Sequence, residues 1–539
     1  MNSPDPNTLS TSGQRLAKFA SITAAATLTS RILGLVREQV LAARFGAGNE
    51  MDAFIVAFRI PNMARDLFAE GALSSALVPS FARHLSQHGR RGAWHLGHNI
   101  LTVLLLATGA VACAGIVFAD RVIAIVAPDF AAVPGKAPLT ITLTRMMLPF
   151  LMLTAVAAAE MGMLNSLHHY FVPALAPAMF NVAMIACALF LAPRLSHAGL
   201  PPILAIAIGA LAGGIAQVVV QWPALRREGF RYRPAVDLRD PGLRQVLLLM
   251  GPGAIGVAAT QLILFVNTLL ATSQGTGAVS WLMYASRLIY LPIGLFGVSI
   301  GTAVLPAVAH QAAADDAAAI RETVARGLTL MLIVNVPAAA GLIALATPIV
   351  RLLFEHGRFL PSDTAATAAA VRLYACGLIG YSTARITAPT FYALGSSRVP
   401  VLVSLATIAL NVALSLSLVR VMGFLGLALG TALASMAHGA GLVWFLRRRL
   451  GGLEGNTLMM ALAKISMASA VMAAAAMAIE HQAHAVSPGE ALVFQAIRLG
   501  LSISGALVVL ACMAKAVGIR EFDAMLALAA VRVRKLLLP

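Results

Sequence analysis

Charged residues and paired cysteines are both scarce in this 539-residue sequence. Only 11% of its residues are Asp, Glu, Lys or Arg, whereas soluble domains carry about 25%. Its four cysteines each stand alone in an apolar run, and no Cys/His spacing suits a zinc site; they are Cys113, Cys187, Cys376 and Cys512. These absences exclude a soluble enzyme, a disordered chain and a disulfide-stabilised scaffold.

Hydrophobic residues, in contrast, fill the whole length of the chain. They make up 59% of it, and the mean hydropathy is +0.84. A membrane-crossing helix needs about 20 apolar residues, and a spanning helix satisfies its own backbone hydrogen bonds. We therefore predict an all-α polytopic membrane protein with about 14 transmembrane helices, of which the first, second and eighth are interrupted by charges. The predicted spans are 17–43, 52–80, 96–119, 139–163, 171–193, 201–224, 245–271, 278–309, 326–347, 364–392, 399–420, 424–446, 459–480 and 492–517.

The basic residues are distributed unevenly over this topology. There are 39 Lys and Arg against 22 Asp and Glu, a net charge of +17. An even number of spans puts both termini on one side, which collects 23 of the basic residues against 7 on the other side. Because cytoplasmic loops are enriched in Lys and Arg, we predict cytoplasmic termini. The excess is explained by topology, so no nucleic-acid partner is expected.

Landmarks in the first half recur in the second half at one constant offset, which indicates an internal duplication. Each repeat holds six spans, so the copies share one orientation, and we expect a binding site at their interface. The predicted division is a flexible tail 1–14, a first lobe 15–240, a second lobe 241–450, and 451–539 for the last two spans and a cytoplasmic tail. The pairs at the constant offset are Pro79 with Pro306, Arg145 with Arg372 and Pro173 with Pro400, while Asn181 recurs as Asn411 with a small slip. The pair Arg145 and Arg372 predicts a shared structural role.

Arginines at membrane depth are the candidate substrate-binding residues. An ionisable residue there costs about 2.5–3.5 kcal/mol on insertion scales and indicates function. Arg31 and Arg37 fall in the first span, Arg65 in the second and Arg287 in the eighth. The planar guanidinium binds phosphate oxygens in pairs and keeps its charge. Unpaired guanidiniums from both lobes therefore predict an anion cavity, most simply for phosphate; the alternative is a structural partner for each.

A second set of charges predicts gating or ion pairing. Asp52, Arg59 and Asp66 are seven residues apart, so they form one stripe on a helix, which Glu70 extends. We assign Asp52, Arg59 and Glu70 to this role, with Asp52 near the outer mouth. The alternative is that Arg59 pairs with Asp52 or Asp66 for structure alone. No catalytic residue and no metal ligand is predicted.

Several segments resemble the MurJ (MviN) lipid II flippase family, which belongs to the multidrug/oligosaccharidyl-lipid/polysaccharide exporter superfamily. The resemblance runs along essentially the whole chain and is densest between the N-terminus and Pro79. The segments are Thr29-Ser-Arg-Ile-Leu-Gly-Leu-Val-Arg37, Phe45-Gly-Ala-Gly48, Asp52-Ala-Phe-Ile-Val-Ala-Phe-Arg-Ile-Pro-Asn62, Phe68-Ala-Glu-Gly-Ala72, Val78-Pro79, Ser280-Trp281, Ala285-Ser-Arg-Leu288 and Phe354-Glu-His-Gly-Arg-Phe359.

The resemblance implies a specific architecture and site. It implies two six-helix lobes around a V-shaped cationic cavity, with two further C-terminal helices that form a groove for a lipid tail. The positions that it implies to be functionally required are Arg31, Arg37, Asp52, Arg65 and Arg287. The sequence departs from the family pattern at Asp66, where a second basic residue is usual or tolerated, and at Tyr290, where some members carry Glu.

The implied function is transport of lipid II, an undecaprenyl-diphosphate disaccharide-pentapeptide, to the outer leaflet of the bacterial cytoplasmic membrane by alternating access. The implied energy source is the membrane potential, alone or with a coupling ion; no cofactor is expected. We expect a monomer and a transporter instead of an enzyme. The alternatives are a flippase for another polyprenyl-linked glycan, a drug/cation antiporter of the same superfamily, or an enzyme acting on polyprenyl phosphate. The enzyme is disfavoured because no acidic metal-binding cluster occurs at membrane depth.

Overall fold

The computed structural model describes residues 6–66, 73–294, 298–453, 455–487, 489, 491–519 and 522. In these ranges the chain is almost entirely helical and contains no strand, which confirms the predicted all-α class. In chain order the helices are α1 Pro6–Phe45, α2 Asn49–Arg65, α3 Leu73–Val117, α4 Ala119–Val126, α5 Lys136–Met147, α6 Phe150–Ser166, α7 Phe171–Ala186, α8 Ala192–His197, α9 Leu204–Arg227, α10 Pro241–Thr272, α11 Ala278–Pro292, α12 Val298–Ala313, α13 Ala317–Ala344, α14 Ala346–Phe354, α15 Pro361–Cys376, α16 Leu378–Ala393, α17 Arg398–Met422, α18 Phe424–Arg449, α19 Gly455–Val486 and α20 Leu492–Val517.

The apolar runs of the sequence coincide with these helices. Every predicted span overlaps one or two of them, and several spans divide into two helices, as 139–163 divides into α5 and α6. Within the described ranges, nine helices are long and apolar enough to cross a membrane, as judged by length and composition. The chain is thus a multi-pass membrane protein, while the predicted number of fourteen spans is not confirmed by this count.

Local sequence signals set the helix boundaries. Gly89 has φ 64° and ψ −170°, so the long α3 is interrupted there; a side chain would be strained in this conformation. Gly423, with φ 59°, separates α17 from α18. The Asp240 side chain accepts hydrogen bonds from the backbone N–H groups of Gly242 and Leu243 at the start of α10. Such carboxylates satisfy the free N–H groups of a first helical turn.

The helices repeat with the offset found in the sequence. The ends of α1 and α10, at Phe45 and Thr272, are separated by the same offset as Pro79 and Pro306, and so are the ends of α3 and α13, at Val117 and Ala344. The short helices α4 and α14 also match, because each buries three apolar side chains at the same offset. They are Ala119, Ile123 and Val126 in one half and Ala346, Val350 and Phe354 in the other, with a slip of one position at the last pair. The duplication is therefore structural as well as sequential.

The matched arginines hold these short helices in place. Arg145 Nη2 on α5 donates to Asp120 Oδ2 on α4 at 2.6 Å. Arg372 Nη2 on α15 donates to Thr347 Oγ1 on α14 at 2.9 Å. Asp120 and Thr347 are themselves separated by the offset of the repeat. This confirms the predicted structural role of the pair.

Internal contacts divide the chain into two compact units. The first comprises Met1–Val279 with His356–Phe359, and the second comprises Ser280–Glu355 with Leu360–Pro539. The contacts thus group α10 with the first unit. The two predicted lobes are defined by the sequence repeat and not by contacts. Their boundaries stay a prediction, and so does the flexible tail 1–14.

Each unit has its own apolar core. In the first, Leu77 and Phe81 on α3 pack with Met163 on α6 and Phe230 after α9. In the second, α19 and α20 contribute to the core built on α13, through residues such as Ile465, Met472 and Leu510. The last two helices are therefore integral to the second unit. Glycines permit close helix packing in both, because a Cβ on Gly213 would overlap Phe180 and one on Gly426 would overlap the Leu418 carbonyl.

Candidate functional site

Arg31 lines a cavity in the first unit. The cavity has a volume of about 480 Å³ and lies among α1, α6 and α7. Arg31 itself is exposed. Its polar neighbours in the lining are Thr27, Ser30, Asn165 and Tyr170. One cationic side chain with hydroxyl and amide groups around it can bind an anion that also carries hydroxyl groups.

Arg37 is held by α7 and by the acid that follows it. Its Nη1 donates to Asn181 Oδ1 at 3.0 Å, and Asn181 Nδ2 in turn donates to the Ser30 carbonyl. Its Nη2 forms an ion pair with Glu38, and the guanidinium lies 5.7 Å from the centre of the Phe180 ring. The buried Nε has no hydrogen-bond partner among the residues that the structure describes. Arg37 thus retains one unused donor.

Arg65 also contacts the acid next to it in sequence. Its Nη2 lies 2.9 Å from Asp66 Oδ1, and the two side chains are 30% and 19% exposed. Asp66 Oδ2 accepts a further hydrogen bond from Gln261 Nε2 on α10 at 2.9 Å. The sequence predicts unpaired guanidiniums, whereas Arg37 and Arg65 each form an ion pair with the carboxylate of the next residue. Successive side chains on a helix point about 100° apart, but the arginine side chain is long enough for its guanidinium to reach the adjacent acid.

The seven-residue stripe on α2 faces one partner, as its spacing predicts. Asp66 contacts Gln261, and Arg59 donates to Thr268 Oγ1 at 3.3 Å, seven residues further along α10. Asp52 accepts from the backbone N–H of Gly277, beyond the end of α10. The stripe therefore runs antiparallel to α10 inside the first unit. Glu70, the fourth member, lies outside the described residues.

Asp52 is the centre of a buried charge cluster. It has no exposed surface, and its Oδ2 accepts from Lys136 Nζ at 2.9 Å and from Gly277 N at 2.8 Å. Lys136 is 3% exposed, and its ammonium also lies 4.1 Å from the centre of the Phe130 ring. These contacts join α2, α5 and the segment just before α11. Asp52 thereby holds the segment that leads into the helix carrying Arg287.

Arg287 lies on α11 in the second unit and is exposed. The same helix packs through Tyr284, which is fully buried and whose ring centre lies 5.0 Å from that of Phe354. Trp281 Nε1 donates to Asp363 Oδ1 at 2.9 Å. Arg287 follows Tyr284 by three residues, so the two side chains lie on neighbouring faces of α11.

The segment His356–Phe359 docks on the end of α1. Arg358 N donates to the Ala43 carbonyl at 2.9 Å, and its guanidinium lies 3.5 Å from Glu50. Gly46 and Gly357 have φ of 66° and 62°, and a Cβ on either would overlap a carbonyl of the facing segment. Two glycines are therefore required for this backbone-to-backbone contact.

Sequence analysis missed the residues that hold the charges. Lys136 is one of the seven basic residues that the predicted topology places on the side opposite the termini, although its side chain is buried against Asp52. Asn181 had been noted only as a landmark of the repeat, and its contact with Arg37 spans 144 residues. The one available signal for Lys136 was a lone lysine beside long apolar runs. Over the described part of the chain, no group of three His, Cys, Asp or Glu residues could hold a metal ion.

Comparison with known proteins gives consistent matches along the chain. A sequence model of the family described as "Lipid II flippase MurJ" matches residues 41–496. A lipid II flippase MurJ from Burkholderia cenocepacia is 35% identical over 427 residues, which cover 78% of this chain and 82% of the relative. A probable lipid II flippase MurJ from Rhizobium meliloti is 34% identical over 516 residues, which cover 93% and 94%.

Solved structures share the fold. One of a lipid II flippase MurJ in an inward closed conformation matches with a TM-score of 0.74 at 23% identity, covering 92% of this chain and 98% of that one. An inward-facing multidrug resistance MATE transporter of the MOP superfamily matches with a TM-score of 0.67 at 14% identity, covering 81% and 99%. At these identities the structural matches support the architecture.

Proposed function

The chain belongs to the lipid II flippase MurJ family, and we propose that it moves lipid II from the inner to the outer leaflet of the bacterial cytoplasmic membrane by alternating access. The observation that carries this proposal is the family match over residues 41–496. The relatives that extend over most of this chain are named for the same substrate. The arginines on α1, α2 and α11 supply the chemistry that such a substrate needs.

We propose that Arg31, Arg37, Arg65 and Arg287 bind the diphosphate of lipid II. Moving a diphosphate through the membrane without counter-charge would cost many kcal/mol, and guanidiniums provide that charge together with paired hydrogen bonds. The unused Nε of Arg37 and the exposed side chains of Arg31 and Arg287 support this assignment. The hydroxyl and amide groups around Arg31 suit the sugar or peptide part of the headgroup.

The acids beside Arg37 and Arg65 have a complementary role in this proposal. A buried arginine without a counter-ion is strongly unfavourable, so Glu38 and Asp66 stabilise the guanidiniums before substrate arrives. The diphosphate then competes with these carboxylates for the same donors. This competition limits the affinity, which a transporter needs in order to release its substrate on the other side.

The remaining assignments extend the same proposal. Asp52, Arg59 and Glu70 act in gating, and the contacts of Asp52 with Lys136 and Gly277 support this for the first of them. The protein works as a monomeric transporter without catalytic residues, cofactor, metal or nucleic acid. The membrane potential drives transport, alone or with a coupling ion, and both termini are cytoplasmic.

Substitution Arg287→Ala tests the binding proposal. We expect labelled lipid II to cross proteoliposome membranes at a rate lower by about tenfold or more, because a charged hydrogen bond contributes roughly 1.5–3 kcal/mol. Arg326→Ala is the matched control, since Arg326 is an exposed arginine of the same unit that pairs with Glu322 on its own helix. It should transport normally.

Three outcomes are informative. Normal transport by Arg287→Ala, with equal insertion, would contradict the role of this arginine. Failure of the wild type to move lipid II would overturn the proposed function itself. Chemical alteration of the lipid by the wild type would identify an enzyme.

A further inference from the structure

Glu160 is a buried acid with no counter-charge among the described residues. It lies on α6 within the apolar span Lys136–Ser166 and has no exposed surface. Neither of its carboxyl oxygens has a hydrogen-bond partner in the described part of the structure. Asp52, another fully buried acid of this unit, has both Lys136 and a backbone N–H. Glu160 therefore differs from Asp52, whose charge is neutralised inside the protein.

A second unpaired acceptor lies close to Glu160. Gln221 on α9 is 1% exposed, and its Nε2 donates to the carbonyl of Ala157 at 3.0 Å. Its Oε1 has no hydrogen-bond partner among the described residues. Ala157 precedes Glu160 by three residues, which is about 4.5 Å along a helix and on a neighbouring face. The Gln221 side chain thus lies beside the turn of α6 that carries Glu160.

The described parts of the surrounding helices offer Glu160 no cation. α6 packs against α2, α3, α7 and α9. α7 contains no ionisable residue. No hydrogen bond or ion pair joins Glu160 to any ionisable group described on the other three helices. Those groups are Glu50, Asp52, Arg59 and Arg65 on α2, Arg83, His84, His88, Arg90, Arg91, His95 and His98 on α3, and Arg226 and Arg227 on α9.

An ionised carboxylate cannot remain unneutralised in such a place, because burying it alone costs many kcal/mol. The orphan atoms are all oxygens that accept hydrogen bonds or coordinate a cation. We propose that Glu160 and Gln221 form an interior binding site for a proton or a small monovalent cation such as Na⁺. This inference rests on the proposed function: the site couples a cation gradient to lipid II movement.

Cation binding is measured first, without transport. Purified protein in lipid nanodiscs is studied in choline chloride and in sodium chloride. We expect the wild type to show either the infrared band of a buried carboxylic acid, which identifies a bound proton, or a higher melting temperature in sodium than in choline, which identifies Na⁺. Glu160→Gln should lose whichever signal appears. Glu322→Gln, which changes an exposed glutamate, should keep it.

Gln221→Ala provides a second variant that leaves the carboxyl group in place. It should shift the infrared band or reduce the sodium effect on the melting temperature. This variant keeps the proposal testable if Glu160→Gln does not fold. Equal infrared spectra and equal melting behaviour for the wild type and every variant that folds would overturn the site.

Transport then tests the coupling. In proteoliposomes, an imposed proton or sodium gradient should change the rate of lipid II movement by the wild type, and this dependence should be absent in Glu160→Gln. Identical gradient dependence in both would contradict the coupling. If the wild type moves no lipid II, the proposed function fails, while the binding measurements still decide the site.

Discussion

Lys136 is a buried charge on which the contacts between several segments of this protein depend. Its ammonium is 2.9 Å from the fully buried Asp52, and the pair joins α2, α5 and the segment before α11. In a low-dielectric interior, removing one member of such a pair is far more costly than removing both, because a single charge remains unpaired. The pair is therefore a sensitive point for stability as well as for the segment that leads into α11.

Replacement of Lys136 by Met tests this pair. We expect Lys136→Met to lower the free energy of unfolding by about 3–5 kcal/mol, measured by unfolding in detergent. The double variant Lys136→Met with Asp52→Asn should recover part of that loss, because no charge is left unpaired. Lys515→Met, at an exposed lysine of α20, is the control and should unfold like the wild type. Equal stability of Lys136→Met and the wild type would refute the importance of the pair.

At the scale of elements, the docking of His356–Phe359 on the end of α1 depends on two glycines. This segment follows α14 in sequence, yet it belongs by its contacts to the first unit. Gly46 and Gly357 allow the two backbones to approach until Arg358 N donates to the Ala43 carbonyl. A larger residue at either position meets both backbone strain and a steric overlap.

The contribution of close approach can be separated from that of backbone strain. Gly357→Ala should lower the free energy of unfolding more than Gly395→Ala does. Gly395 has a similar φ of 69°, but a Cβ there meets nothing within 4 Å. Strain alone accounts for about 1–2 kcal/mol, and overlap adds about 1–3 kcal/mol. Thermal unfolding of both variants provides the measurement, and equal losses would show that the contact itself is unimportant.

The stripe on α2 is an element whose geometry follows directly from sequence. A seven-residue spacing places Asp52, Arg59 and Asp66 on one face, and all three contact α10 or the segment after it. Their hydrogen-bond partners could not be predicted, because those partners lie in a distant part of the chain, at Gly277, Thr268 and Gln261. Periodicity indicates a shared face but carries no information about which helix covers it.

At the scale of the whole molecule, the distribution of basic residues predicts which side of the membrane each loop faces. In the predicted topology, the segment around Gln87 lies on the side of the termini, and the segment around Ala198 lies on the opposite side. Both residues are exposed. Membrane insertion follows the positive charges, so the segment around Gln87 should face the cytoplasm.

Cysteine labelling tests this orientation. In a variant lacking the four natural cysteines, Ala198→Cys should react with a membrane-impermeant thiol reagent added to intact cells. Gln87→Cys should react only after the membrane is opened. The inverse pattern would show that the termini face outward, and labelling is read by the mass of the modified protein.

The duplication could be predicted from sequence because it is a property of the chain. The constant offset found in isolated prolines and arginines recurs in helix ends and in the contacts of Arg145 and Arg372. The short helices α4 and α14 were not predicted separately, because eight or nine residues are too few to give a span signal. Their repetition became evident only from their buried faces.

The sequence by itself determined the helical membrane class, the repeat, the positions of the arginines and the family. These follow from composition, periodicity and short motifs, all of which are local along the chain. Only the tertiary structure decided that Lys136 neutralises Asp52, that Glu38 and Asp66 contact the neighbouring arginines, and that Glu160 has no hydrogen-bond partner among the described residues. The physical reason is that the energy of a buried charge depends on the atoms within a few ångströms of it, and those atoms come from distant parts of the chain.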